Sequence, residues 1–150
     1  MLIVSGYWTN IDNTTAPDFV MPEDTASDRL MVSVHYVDNA MYWSKKIGGQ
    51  EWLDYTDAQI ELLDKAFLSK NIPVFMGETS AGYPDSNFDQ NAIHKDTSEC
   101  LEIVLDKLTD KGIVPVIWDV NDVFYSRTEY RIKSDSDRKV IKEMSEKVKK

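Results

Sequence analysis

Glu78 stands in the stretch NIPVFMGETSAGYP, residues 71–84, two positions after an apolar run from Ile72 to Met76. Such a run reads as a buried strand, and dehydrating a charge at its end is costly. Either the carboxylate sits in a solvated loop, or a rigid strand aims it at a substrate. Three further apolar runs, Leu2–Val4, Met31–Val34 and Val114–Trp118, also lead into polar and aromatic side chains. Their exits read GYWTN (6–10), HYVDN (35–39) and WDVN (118–121), beside GETS (77–80). Aromatic rings next to polar groups suit a carbohydrate, whose C–H faces stack on Trp and Tyr while its hydroxyls need hydrogen-bond partners. Tyr7, Trp8, Tyr36, Trp43, Trp52, Tyr83 and Trp118 all lie at or after these run ends. Glycoside cleavage needs two carboxyl groups as well. One is ionised, to attack the anomeric carbon or activate water, and the other is protonated, to release the leaving oxygen.

The elements that must hold these residues follow from the pattern of the runs. Each run is short and continuous rather than alternating, as in strands covered on both faces of a parallel sheet. Between them lie amphipathic helices. Thr56-Asp-Ala-Gln59 forms a capping box, with Ile60, Leu63 and Phe67 on one face behind it. Asp96 or Ser98 caps a second helix, whose stripe is Leu101, Val104, Leu105 and Leu108. A third follows Ser134-Asp-Ser-Asp, with Val140, Ile141, Met144 and Val148 inward and a lysine-rich end that complements the helix dipole. KNIPVFMGE (70–78) and KGIVPVIWD (111–119) repeat a helix exit, a proline, an apolar run and an acid. That repetition marks stacked βα units. Between Asn10 and Arg29 there is room for a helix only near residues 24–29. The order is therefore β-loop-β-α-β-α-β-α, an α/β class in which ligands bind beyond the carboxyl ends of the strands.

Composition narrows the partners. A chain of 150 residues with 42% hydrophobic content reads as one domain spanning 1–150. Its 17 Lys and Arg against 26 Asp and Glu leave a formal charge of −9, which repels phosphate backbones and anionic membrane surfaces. No stretch of eighteen apolar residues occurs, so no membrane span is expected. Cys100 is the single cysteine and reads as a small core residue. With two histidines, His35 and His94, and no ligand spacing between them, no metal and no cofactor are expected. His94 reads as exposed and uninvolved. A nucleotide-binding open sheet is disfavoured because no glycine-rich phosphate loop follows the first run.

The motifs GYWTNIDNTT, MVSVHY, MGE and PVIWD, taken in order, resemble glycoside hydrolase family 5, the cellulase-type (β/α)8 barrels, and in particular its rumen-type endoglucanases. The resemblance covers the whole chain but only the second half of that fold. Residues 1–10 look like the fifth strand, 33–39 the sixth, 72–79 the seventh and 114–121 the eighth. It implies a retaining hydrolase of β-1,4-glucan-type polysaccharide, with Glu78 as nucleophile, His35 as an active-site hydrogen-bond partner and Trp118 as a sugar platform. Tyr36, Trp43, Trp8 and Asn10 are further substrate-contact candidates. Where the family commonly carries a tyrosine two positions after the histidine, this chain has Val37. Tyr36 or Tyr42 must then supply that hydroxyl.

The family's acid/base glutamate lies in an Asn-Glu pair on the fourth strand, and no Asn-Glu dipeptide occurs in these 150 residues. The resemblance thus implies a nucleophile without its acid. Four strands of a barrel leave two unpaired edges and an open inner face. The expected partners are therefore a β-linked polysaccharide and a complementary amino-terminal half-barrel or a second copy. The parent enzyme is expected to be extracellular. The alternative is a non-catalytic carbohydrate-binding or half-barrel assembly module that keeps the aromatic platforms.

Overall fold

Four parallel strands line up in chain order, β1 (Leu2–Val4), β2 (Leu30–His35), β3 (Val74–Ser80) and β4 (Val114–Trp118). The structure, a computed structural model, describes residues 1–26, 28–120 and 122–149. The crossovers carry α1 (Ile11–Thr14), α2 (Asn39–Trp43), α3 (Gln50–Ala66) and α4 (Thr97–Asp110), and α5 (Asp135–Lys147) follows β4. This is the four-strand βα order expected from the sequence. A small antiparallel hairpin, β5 (Tyr125–Ser126) with β6 (Arg131–Ile132), precedes α5 and has no counterpart in that expectation.

β3 is longer than its apolar run. The run suggests that the strand ends at Met76, but the ladder continues through Glu78 to Ser80. It also carries one residue more than either neighbour. Against β2, Val34 pairs with Met76 and His35 with Glu78, so one step on β2 spans two on β3. Against β4, Met76 pairs with Pro115 and Thr79 with Ile117, so two steps on β4 span three on β3. Both ladders place the extra residue at Gly77–Glu78, which makes it a β-bulge.

The helices begin where local chemistry allows, and not always where the sequence suggested. α3 starts at Gln50, so Thr56 and Gln59 are mid-helix and form no capping box. The Gln59 amide instead donates to Asp12 at 3.0 Å and ties α3 to α1, while the buried Thr56 hydroxyl lacks a partner. In α4 the cap is Asp96, whose carboxylate accepts from the backbone of Ser98 and Glu99. α5 starts at the Ser134 cap; Val140 is buried, whereas Val148 is exposed rather than inward. The described residues near 24–29 form a bend and turn, not a helix, and Ser27 lies outside them. Among the described residues no helix is long and apolar enough to cross a membrane.

The core lies on the helix side of the sheet. Val32, Val34, Val74 and Met76 pack there with Leu63, Val104, Leu108 and the fully buried Trp52. Cys100 joins this core, and burial pushes its thiol up to about 12. A second cluster of Leu101, Leu105 and Val140 seats α5 on α4, with Ile117 packed against it. The same pair of helices is pinned by a buried hydrogen bond, Ser98 Oγ to Asp137 Oδ1 at 2.5 Å. Replacing Asp137 by Ala leaves the Ser98 hydroxyl buried and unpaired. A loss of about 1.5–3 kcal/mol is expected, the range for hydrogen bonds to charged groups. Urea denaturation of Asp137→Ala against wild type checks this, and a change under 0.5 kcal/mol would contradict the inward role given to α5.

Candidate active site

Side chains on a strand alternate between faces, so Glu78 should share the buried face with Val74 and Met76. The bulge at Gly77 reverses that phase. Beyond it Thr79 is the buried residue, while Glu78 and Ser80 emerge on the open face of the sheet. On β2, Ser33 and His35 occupy the same face, alternating with buried Val32 and Val34. On β4, Trp118 pairs with Ser80 and is 46% exposed on the face opposite Ile117. Glu78 and Trp118 are therefore diagonal neighbours across one ladder, on one surface.

His35 Nδ1 lies 3.4 Å from Glu78 Oε1, with both side chains about three-quarters buried. This is an ion-pair separation rather than a tight hydrogen bond. Tyr36 leaves β2 with a left-handed φ of 47°, a conformation that costs energy in a residue with a Cβ. Its hydroxyl is held well above its ordinary range by burial, then by hydrogen bonding to Glu78 and by that group's charge. Of the two tyrosines left open by the sequence, Tyr36 is the one tied to Glu78, by its backbone N–H to the Glu78 carbonyl at 2.9 Å and by the effect of the carboxylate on its hydroxyl. Val37 is 1% exposed and belongs to the core.

A cleft of about 300 Å³ is lined by Tyr36, Asn39, Tyr42, Trp43, Ser80 and Trp118, among others; Glu78 and His35 are not among its lining residues, though their chain neighbours Tyr36 and Ser80 are. Trp43 is exposed, and its indole N–H donates to Asn39 Oδ1 at 2.9 Å, which fixes the ring's direction. Trp8 and Asn10 are not part of this cleft. Trp8 stands exposed with its ring edge-to-face on Tyr7, and the Asn10 side chain accepts from Asn13 N at 3.0 Å as the cap of α1. Two aromatics that the sequence grouped with the cleft are core residues. Trp52 is 0% and Tyr83 4% exposed, although the Tyr83 edge still reaches the cleft wall.

Both of those rings serve Asp38. Trp52 Nε1 donates to its Oδ2 at 3.0 Å, and the Tyr83 hydroxyl donates to the same oxygen. Asp38 is 2% exposed, and burial raises its carboxyl above the ordinary range despite these two donors. Its charge, after burial, also pushes the Tyr83 hydroxyl up. Asp38 thus anchors the β2–α2 turn that carries Tyr36. Asp119, next to Trp118, is on the cleft wall and is engaged by its own loop. Its carboxylate accepts from the backbone of Val123, Phe124 and Tyr125 at 2.9–3.1 Å, and those bonds, led by that from Phe124, hold it below its usual range. The loop so pinned presents Val120 and Val123 to the cleft. The Asp-Val-Asn-Asp run hinted at such a turn, and Asn121 lies outside the described residues. His94 is half-buried rather than exposed, with Nδ1 2.8 Å from Glu99. Among the described residues no three His, Cys, Asp or Glu side chains gather where a metal could bind.

The profile of the family described as Cellulase (glycosyl hydrolase family 5) matches residues 1–123. Endoglucanase A of Paenibacillus barcinonensis is 28% identical over 149 residues, covering 79% of this chain and 35% of that protein. Among solved structures, a broad specificity endoglucanase from an uncultured bovine rumen ciliate superposes with a TM-score of 0.77. It is 19% identical, and the match covers 99% of this chain and 48% of that one. A Bacteroides ovatus xyloglucanase solved with a XXXG heptasaccharide gives 0.71 at 21% identity, over 95% of this chain and 35% of that one. The chain spans about half the length, or less, of these proteins, and its four strands and helices have the arrangement of part of their fold.

The Asp38 network carries a pH signature. A carboxyl whose folded value is raised favours folding most below its unfolded value of about 3.8. That contribution is lost as pH rises through the raised value. Relative to Asp38→Asn, the wild type should therefore lose stability as pH rises above about 4. Urea midpoints for both proteins across that range check it, and parallel curves would contradict it.

Proposed function

The chain belongs to glycosyl hydrolase family 5, and on that premise we propose that it is the second half of a retaining β-glucan hydrolase domain with Glu78 as its nucleophile. One observation supports this reading above the others. The bulged strand presents Glu78 on the open face, 3.4 Å from His35 and diagonal to the Trp118 indole. An ionised carboxylate held by backbone at that place can attack an anomeric carbon from below a sugar stacked on Trp118. The bond formed is an ester between Glu78 and the sugar, and the bond broken is that to the leaving oxygen. Tyr36, next to Glu78 across the β2–β3 ladder, supplies the phenol that Val37 cannot and would orient one carboxylate oxygen. His35 fixes the other side of the group, and Trp43 faces the cleft as an outer stacking surface. Trp8 offers a more distant one. Asn10, spent on the α1 cap, would act through the turn it holds.

The proton for the leaving oxygen must come from a carboxylic acid, and no Asn-Glu pair exists in the sequence. We propose that a complementary half-barrel supplies it. The end strands fit that role, since Leu2, Ile3, Val114 and Val116 are 38–59% exposed along two apolar edges. The substrate class is a β-1,4-linked glucan, in keeping with the endoglucanase and xyloglucanase activities that the relatives' names carry.

The test needs no acid. A 2-deoxy-2-fluoro-β-cellobioside with a dinitrophenolate leaving group should label the chain, with the added mass on the peptide containing residue 78. Glu78→Gln should take no label, and Tyr36→Phe should label about tenfold more slowly. Label elsewhere, or on Glu78→Gln equally, would reject the nucleophile. Glucan binding retained without label would favour the binding-module reading. Mixing in a half-barrel that carries an Asn-Glu strand should raise turnover of unactivated β-glucan by about 10²–10⁴-fold over the chain alone.

A further inference from the structure

We propose that Gly77 is the positioning residue of the Glu78–His35 pair, and that its missing side chain is the space in which the His35 ring lies. Strand glycines mark bulges or close approach, and here both occur. A Cβ built on Gly77 would stand 2.9 Å from His35 Nε2, 3.1 Å from its Cδ2 and 3.1 Å from Ser33 Oγ. Those atoms belong to the open face, so the bulge puts residues 77 and 78 on one surface where alternation would separate them. Two adjacent side chains cannot both stand beside His35, and the first of the two is the one reduced to hydrogen. Backbone strain is not the reason for the glycine, since Gly77 is absent from the positive-φ glycines Gly48, Gly82 and Gly112.

Two properties of the position separate. The extra residue sets the phase of β3, so any amino acid at 77 keeps Glu78 on the open face. Only glycine leaves room for the imidazole at 3.4 Å from Glu78. The nearest atoms a Cβ would meet are the far end of the His35 side chain, which can rotate away. A larger residue at 77 therefore displaces His35 without unfolding the sheet. Valine suits a strand better than glycine, so propensity works against any loss of stability.

The catalytic consequence rests on Glu78 being the nucleophile, but the geometry can be read independently. The full chain has two imidazoles, His35 and His94, which long-range proton–nitrogen spectra resolve. Glu78→Gln should move the His35 signals and leave His94 unchanged. In a Gly77→Val background the same substitution should leave His35 nearly still, with Gly77→Ala intermediate. Labelling by the fluorinated cellobioside should fall about 10- to 100-fold in Gly77→Val, the scale of an ångström-sized misplacement. In a His35→Ala background Gly77→Val should cost nothing further, a non-additivity that a purely structural role would not produce. Thermal melts read folding separately, and Gly77→Ala carries the same comparisons if Gly77→Val melts out. A full His35 response to Glu78→Gln in the Gly77 variants, or additive costs with His35→Ala, overturns the proposal. A wild type that takes no label defeats the nucleophile reading instead, and leaves the imidazole result to decide Gly77.

Discussion

One residue too many in a strand is the constraint on which the site depends. The two sides of this sheet are unlike: helices cover one, and the other faces a cleft. A carboxylate on the helix side would be stripped of water with no partner, at a cost of several kcal/mol. Alternation counted from Val74 and Met76 assigns Glu78 to that side, and the bulge at Gly77 reassigns it. The ladder resumes past the bulge, since Thr79 and Ser80 still pair with Ile117 and Trp118. Glu78 is therefore held by backbone on both sides rather than carried on a loop tip. Rigidity of that kind is what preorganised chemistry requires.

Around Glu78 the supporting groups fall into two shells of different character. His35 and Tyr36 touch the carboxylate and stay partly accessible. Behind them Asp38, Trp52 and Tyr83 form a buried hydrogen-bonded set, with Asp38 and Tyr83 also on the cleft wall. A raised carboxyl beside a cleft can suggest catalysis. Here its two donors are core aromatics, which favours an anchor for the turn that bends Tyr36 into place. Asp119 serves the opposite wall in the same manner through three backbone amides. The walls of the cleft thus include two acids, Asp38 and Asp119, whose carboxylates are engaged by donors of the protein itself.

Much of this arrangement was legible in the sequence. Continuous apolar runs located all four strands, but the cover on both faces that they suggested is not seen: burial alternates along β2, β3 and β4, and helices cover one face. The stripes of α3 and α4 were visible at Ile60 and Leu63 and at Leu101 to Leu108. Glu78, His35, Tyr36 and Trp118 stand at the exits of those runs and Trp43 shortly after one of them, while the roles expected of them came from the family resemblance. The bulge was not, since Gly-Glu after an apolar run looks like the end of a strand, and only pairing with two neighbours reveals a strand that continues. The capping box at Thr56 misled because a cap residue must itself lie outside helical φ/ψ, whereas the helix had already started six residues earlier at Gln50. Trp52 and Tyr83 could not be separated from the cleft aromatics, because their burial depends on Asp38, far away in sequence.

In the proposed reaction β3 delivers Glu78 to a sugar resting on Trp118. The most direct measurement is a crystal structure of the chain carrying Glu78→Gln, soaked with cellotetraose. A pyranose ring should lie parallel to the indole of Trp118, its anomeric carbon within about 3.5 Å of the amide at position 78, the reach of an attacking group. A strand without the extra residue, with that side chain among the helices or the sugar bound away from Trp118, would contradict it.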